Sequence, residues 1–184
     1  MKRSEIRLSG SGGQGIILAG IILAEAALLE GKNAVQSQSY GPEARGGASK
    51  SEVIISSDSV DYPKVTDPSL VLALTGEAYT KYARGCGDHV VVLVDDSINV
   101  TFEKGVVALP IIRTAREELG RPIVANIVAL GAINGVAKLV SPASLEQAVL
   151  HRVPKGTEEL NKKALHLGYK LAAEGVSQDS KKAK

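Results

Sequence analysis

The chain of 184 residues has one cysteine, Cys86, and no tryptophan, and aromatic residues make up only 3% of it. One thiol cannot close an internal disulfide, which agrees with a reducing compartment. Nor can it supply the roughly four protein ligands of an iron–sulfur cluster. So few aromatics leave little from which to build a base-stacking platform, and a net charge of +2 without a basic stripe gives no electrostatic footprint for nucleic acid. Long apolar runs are absent too. The longest, residues 16–29, is broken by Glu25 and falls short of the roughly 18–20 residues that cross a bilayer, and the opening MKRSEIRLSG lacks the apolar core of a signal peptide. These absences exclude membrane and nucleic-acid roles and predict a cytoplasmic protein. The three histidines, His89, His151 and His166, show no metal-ligand spacing, and no G-x-S-x-G elbow is present.

At 44% hydrophobic and 23% charged residues, the composition is that of a soluble globular protein long enough for one core. SEIRLS (residues 4–9), NAVQSQS (33–39), KSEVIIS (50–56), SLVLALT (69–75), HVVVLVD (89–95) and VVALPI (106–111) read as strands. Helices are expected at 15–31, 77–83, 114–119, 125–139, 144–150 and 158–173, the last with Thr157 as N-cap. Strands alternating with helices imply an α/β fold with a mainly parallel sheet, helices on both faces and a helical C-terminal part, Rossmann-like in outline. One domain is expected over residues 1–176, with 177–184 a disordered polar tail.

The segment GSGGQGIILAG (10–20) places Gly10, Gly12 and Gly15 in G-x-G-x-x-G spacing between a strand and a helix. A dinucleotide site would add an acid at the end of the second strand, but NAVQSQ has none. A nucleotide phosphate loop would continue with Lys and Ser or Thr, but Ile16 and Ile17 follow. Two readings stay open. Gly12, Gly13, Gln14 and Gly15 either cradle an anion at a helix N-terminus or form only a tight turn.

The loop YGPEARGGAS carries Arg45, with Lys50 just beyond. In a doubly wound sheet it lies near the first loop at the carboxyl edge, so Arg45 and Lys50 either complete an anion site or, for Arg45, pair with a surface carboxylate such as Glu43. Asp95 and Asp96 read as turn and cap residues, and Cys86 as an inert thiol. The almost uncharged helices at 15–31 and 125–139 exceed what a small sheet needs for cover. Their surplus, including Gly131 and Gly135, faces another subunit or a second copy of the chain, or else an internal helix crossing.

GSGGQGIILAG, QSQSYGPEARGGASKSEVIIS with the following DYPKV, and VPKGTEELNKKALHLGY near the end together make the chain resemble the gamma subunits of 2-oxoacid:ferredoxin oxidoreductases, the 2-oxoglutarate branch (2-oxoglutarate synthase) above all. The resemblance implies a chain in a complex with alpha, beta and delta subunits that converts a 2-oxoacid to an acyl-CoA and carbon dioxide while reducing ferredoxin. Thiamine diphosphate with Mg, and the 4Fe-4S clusters, are then on those partner subunits. By the same resemblance, this chain is expected to have no catalytic residue of its own and to contribute assembly and part of a coenzyme A site at Gly12–Gly15, Arg45 and Lys50. A gamma subunit of a pyruvate, 2-oxoisovalerate or indolepyruvate enzyme is the alternative within the family, and two competing functions are a purely structural subunit and a free-standing nucleotide-binding protein. The missing ribose acid and phosphate-loop lysine argue against the second.

Overall fold

The computed structural model describes residues 3–39, 47–100 and 105–182, with side chains through Gly175. In chain order the elements are β1 (Arg3–Ser11), α1 (Ile16–Leu29), β2 (Asn33–Ser39), β3 (Ala48–Ser56), β4 (Leu70–Ala73), α2 (Gly76–Tyr82), β5 (Val91–Asp95), β6 (Val106–Leu109), α3 (Ile111–Glu117), a 3-10 turn (Pro122–Val124), α4 (Ala125–Ala137), α5 (Pro142–Arg152) and α6 (Glu158–Lys182). Every expected strand and helix is present, with shifted ends. The strand expected to reach Ile111 stops at Leu109, because Pro110 caps α3. The backbone of α6 runs past Ala173 through residues 177–182, the segment expected as a tail.

The six strands form one sheet in the order β2-β3-β1-β4-β5-β6. β1, β4, β5 and β6 pair in parallel, with Ile6 opposite Leu70 and Leu72 opposite Leu93. β3 runs antiparallel to both β1 and β2. The mainly parallel expectation therefore holds in a mixed sheet, in which three of the five strand pairings are parallel and two are antiparallel. The connection over residues 40–47 is too short for the crossover that parallel neighbours require, so β2 and β3 can pair only as a hairpin.

Side chains alternate across the sheet as period-2 strands require. Ile6, Leu8, Val53, Ile55, Leu70, Leu72 and Leu93 share a core with α1, α3, α4, α5 and α6. Val71, Ala73, Val92 and Val94 face the other way, onto Ala78, Tyr79 and Ala83 from α2 and the residue after it. α1 can lie close to β3 because Gly20 has no side chain: a Cβ there would stand 2.1 Å from Ser51 Oγ. It ends in a Schellman motif, with Gly31 at φ 70° and Lys32 N–H donating to the Ala27 carbonyl at 3.1 Å.

The surplus apolar surface of α4 is consumed inside the chain. A Cβ on Gly131 would stand 2.2 Å from the Leu165 carbonyl oxygen, and one on Gly168 would stand 2.1 Å from that of Val128. Backbone meets backbone where α4 and α6 cross, so the internal crossing accounts for Gly131 and Gly135, and the expected subunit contact at that face gives way to it.

Candidate functional site

Two glycines of the loop after β1 take left-handed conformations, Gly13 at φ 85° and Gly15 at φ 70°, where a Cβ is costly. Gly10 and Gly15 are also crowded. A Cβ on Gly10 would meet Gln14 Oε1 at 2.4 Å, and one on Gly15 would meet Asn126 Nδ2 at 2.5 Å. Gly12 has open space around it and ordinary backbone angles. Gln14 closes the turn by accepting the Ser11 N–H at 2.7 Å through Oε1, which leaves its Nε2 donors for other partners. Asn126 Nδ2 donates to the Gly15 carbonyl at 3.3 Å and ties the loop to α4.

α1 then starts with no side-chain cap and no acid in its first turn. Its leading N–H groups and the positive end of its dipole are offered outward past exposed Gly12 and Gly13. Gly10 and Gly15 are required by the turn, whereas Gly12 is not, and the space beside it is open.

The described residues on either side of the second loop come to the same edge. The chain leaves β2 at Ser39 and enters β3 at Ala48, and Ala48 lies opposite Ser11. β3, not β2, is the neighbour of β1. Arg45 and Glu43 lie outside the described residues. Lys50 is committed elsewhere: its ammonium donates to Glu52 Oε1 at 2.9 Å and sits 5.8 Å above the Tyr82 ring. Glu52, only 5% exposed, also accepts from Arg7 Nε at 2.8 Å. The neighbouring Ser51 faces α1, so this triad occupies the opposite side of the sheet, and Lys50 lines neither of the clefts beside the glycine loop.

Those two clefts flank the loop on consecutive residues. Gly13 and Gly15 border one of about 580 Å³, between α1, the start of α4 and the turn before α6, whose walls are mainly apolar, with Leu18, Val124 and Leu160 among them. Arg121, Asn126, Thr157 and Asn161 are its polar side chains, and the Arg121 side chain has no ion-pair partner among the described residues. Nothing in the sequence marks Arg121, since it gains its place only when the turn after α3 folds back onto the loop. Gln14 borders the other cleft, of about 730 Å³, outside the carboxyl ends of β4 and β5.

The remaining candidates have structural partners. Asp95 accepts from Ser97 N–H at 3.1 Å and Ile112 N–H at 2.8 Å, a turn and cap role, whereas Asp96 forms an ion pair with Arg113 at 2.7 Å. Burial pushes the Cys86 thiol up against the opposing pull of Arg7, which leaves it protonated at neutral pH. His89 pairs with Asp67 at 2.8 Å, and His151, with Arg152, holds Glu25 of α1. Thr157 precedes α6 and its carbonyl accepts from Asn161 N–H at 3.0 Å, as an N-cap's does, while its hydroxyl donates to the Pro154 carbonyl at 2.7 Å. No helix among the described residues is long and apolar enough to cross a membrane.

The family model described as pyruvate ferredoxin/flavodoxin oxidoreductase matches residues 5–171. The chain is 53% identical to the 2-oxoglutarate synthase subunit KorC of Methanocaldococcus jannaschii, over 94% of this chain and 95% of that one. From Methanothermobacter thermautotrophicus, KorC is 44% identical (94% and 97% covered) and the pyruvate synthase subunit PorC is 35% identical (90% and 93%). Among solved structures, the gamma subunit of a keto/oxoacid ferredoxin oxidoreductase from Geobacter sulfurreducens superimposes with a TM-score of 0.86 at 51% identity, covering 95% of this chain and 99% of that one. The same fold recurs, at a TM-score of 0.82 and 24% identity, within 2-oxoglutarate:ferredoxin oxidoreductase from Magnetococcus marinus with 2-oxoglutarate, coenzyme A and succinyl-CoA bound, covering 95% of this chain and 32% of that one. The family model over most of the chain, with these identities over nearly its whole length, places the chain in the pyruvate ferredoxin/flavodoxin oxidoreductase family, as a gamma subunit of the 2-oxoacid:ferredoxin oxidoreductases.

Proposed function

We propose that this gamma subunit serves a cytoplasmic 2-oxoglutarate:ferredoxin oxidoreductase and that its Gly12–Gly15 loop, with Arg45, takes part in holding coenzyme A, while Lys50, bound to Glu52 on the other side of the sheet, does not. The choice of 2-oxoacid is supported by the higher identity to KorC than to PorC within one organism. Thiamine diphosphate with Mg, and the 4Fe-4S clusters, belong to alpha, beta and delta partners, where they supply carbanion stabilisation and electron transfer to ferredoxin. Ferredoxin-linked chemistry and a chain with one cysteine both suit the reducing cytoplasm.

The observation that carries the coenzyme A reading is the uncapped N-terminus of α1 behind two exposed glycines. Coenzyme A is rich in phosphate, and free N–H groups with a favourable dipole, reinforced by an arginine, suit such an anion. The space at Gly12 lets the phosphate approach the backbone. The role is positioning: with its anionic end fixed, the thiol is presented to a centre on another subunit, and this chain supplies no acid or base.

The test is Gly12→Asp in the assembled enzyme. The open space admits the side chain, and its carboxylate repels the coenzyme, so KM for coenzyme A rises roughly tenfold, about 1.4 kcal/mol, with kcat retained. The neutral isostere Gly12→Asn stays within about twofold. Arg45→Ala raises the same constant. An unchanged KM in both Gly12→Asp and Arg45→Ala, with the complex intact, overturns the coenzyme role and leaves a subunit for assembly alone.

A further inference from the structure

The cleft of about 580 Å³ beside Gly13 and Gly15 is walled by three elements far apart in sequence: the first turn of α1, the start of α4 and the turn that leads into α6. Ile123 stands at its rim, 76% exposed, more than any other large apolar side chain among the described residues. A single exposed apolar side chain needs no explanation, but one that continues an apolar cleft enlarges it into a patch.

Ile123 is also held in place. It is the middle residue of the 3-10 turn Pro122–Val124, in which Pro122 fixes its own φ, the Val124 side chain is buried and Val124 N–H donates to the Arg121 carbonyl at 3.1 Å. Arg121 N–H donates to the Ala115 carbonyl at 3.0 Å and ties the turn to α3. A side chain on so fixed a backbone loses little further freedom when it is covered, as an interface anchor should.

The neutral polar side chains of the cleft are committed to the chain itself. Asn126 Nδ2 donates to the Gly15 carbonyl and the Thr157 hydroxyl to the Pro154 carbonyl, while Asn161 Nδ2 donates to the Thr157 carbonyl at 2.9 Å and to its hydroxyl at 3.1 Å. Arg121 differs. It is exposed, it has no ion-pair partner among the described residues, and no carboxylate lines the cleft. A small polar ligand finds few open donors here. The cleft offers apolar surface with one unpaired guanidinium at its edge, and the complement of that is an apolar side chain with a carboxylate beside it.

A second copy of this chain does not supply the complement. A two-fold contact through the cleft brings two identical linings together, each with a cation and neither with an acid. A different subunit can supply it. In the Magnetococcus marinus enzyme the same fold makes up 32% of a longer chain and is joined to the remainder covalently. A separate gamma subunit has only its surface for that purpose.

We propose that this cleft docks another subunit of the same enzyme, which seats a large apolar side chain against Leu18, Ile123 and Leu160 and sets an Asp or Glu side chain on Arg121. The planar guanidinium suits a carboxylate through two parallel N–H bonds. The site rests on the chain being a subunit and is independent of the coenzyme cradle.

The experiment replaces Ile123 by the photo-crosslinking amino acid p-benzoylphenylalanine in the coexpressed, assembled enzyme and identifies the crosslinked peptide by mass spectrometry. Irradiation joins this chain to another subunit, at a peptide with an Asp or Glu within about four residues of the attachment point, the span over which side chains of one helix or strand are neighbours. Should bulk at Ile123 block assembly, the same replacement of Lys155, exposed on the rim between Pro154 and Gly156, gives the same peptide. Ile123→Asp and Arg121→Glu each raise the fraction of free gamma chain roughly tenfold in size-exclusion chromatography of the coexpressed enzyme. Arg121→Lys, which keeps the charge but not the fork, lies between Arg121→Glu and wild type. Both side chains are exposed, so these replacements remove no buried contact from the fold. A crosslink to a second copy of this chain, an intact complex with no crosslink to any protein, or assembly unchanged in both Ile123→Asp and Arg121→Glu overturns the proposal. Failure of the coenzyme cradle is read elsewhere, in the KM for coenzyme A of Gly12→Asp with the complex intact.

Discussion

At Gly15 two constraints coincide, a left-handed φ of 70° and an Asn126 amide standing where a Cβ would go. Gly12, three residues earlier, has neither. Gly15→Ala is expected to cost about 2–3 kcal/mol, from αL strain and the lost Asn126 bond together. Gly12→Ala stays within about 0.5 kcal/mol. Denaturant unfolding of the two variants measures the difference, and equal costs would show that the loop is uniformly a turn. The sequence spaces these glycines correctly but cannot rank them, because the rank is set by Asn126, more than a hundred residues away. Glu30 is a second residue whose role comes from distant chain. Burial raises its pKa, but hydrogen bonds from Lys32, from Ser141 N–H and hydroxyl, and from Ser144 outweigh this and bring the carboxyl from 4.5 to about 2. A carboxyl lowered on folding stabilises the native state above its unfolded pKa, and that contribution is lost as pH falls through the folded value. Glu30→Gln therefore costs about 1–3 kcal/mol at pH 7. The gap to wild type closes as pH drops from about 4.5 toward 2. A gap independent of pH over that window would mean that the carboxylate charge contributes nothing.

Helices α4 and α6 meet through glycine on both sides, and each helix fills the space that the other's missing Cβ leaves. Gly131→Ala and Gly168→Ala must each push backbone away from backbone, at about 2–3 kcal/mol. One enlarged separation accommodates both methyl groups, so the double variant should cost less than the sum of the singles by about 1 kcal/mol or more in a double-mutant cycle. Strict additivity would place the two glycines in separate contacts. The sequence shows why this crossing was only half legible. An uncharged stripe with Gly131 and Gly135 announces close approach without saying to what. The partner glycine, Gly168, lies in a helix that reads as ordinary and amphipathic. The strands were legible because the apolar runs at 70–74 and 90–94 suit burial on two faces. The direction of β3 follows from a loop length, and its place between β1 and β2 became evident only in the sheet order. Arg121 carries no local signature at all, since it reaches its cleft through packing of elements that are separate in sequence.

For the molecule as a whole, the proposed function has the fold supply surfaces and the partner subunits carry out electron transfer. The sheet has a cleft on either side of one glycine turn, and among the described residues no group of three or more His, Cys, Asp or Glu side chains is arranged to hold a metal ion. The single thiol is half-buried and held protonated by its surroundings. A protein built in this way is expected to contain no iron, acid-labile sulfide or thiamine when purified alone, and to oxidise no 2-oxoacid. Expressed with its partner subunits, it should yield a complex that reduces ferredoxin only when coenzyme A is present, with kcat/KM for 2-oxoglutarate at least tenfold above that for pyruvate. Metal analysis and ferredoxin-reduction assays on both preparations check this directly. Iron bound to the isolated chain would contradict the division of labour, because one cysteine cannot retain a cluster. A preference for pyruvate would leave the family and fold standing and move the chain toward the PorC branch, as expected if substrate choice is set on the partner chains.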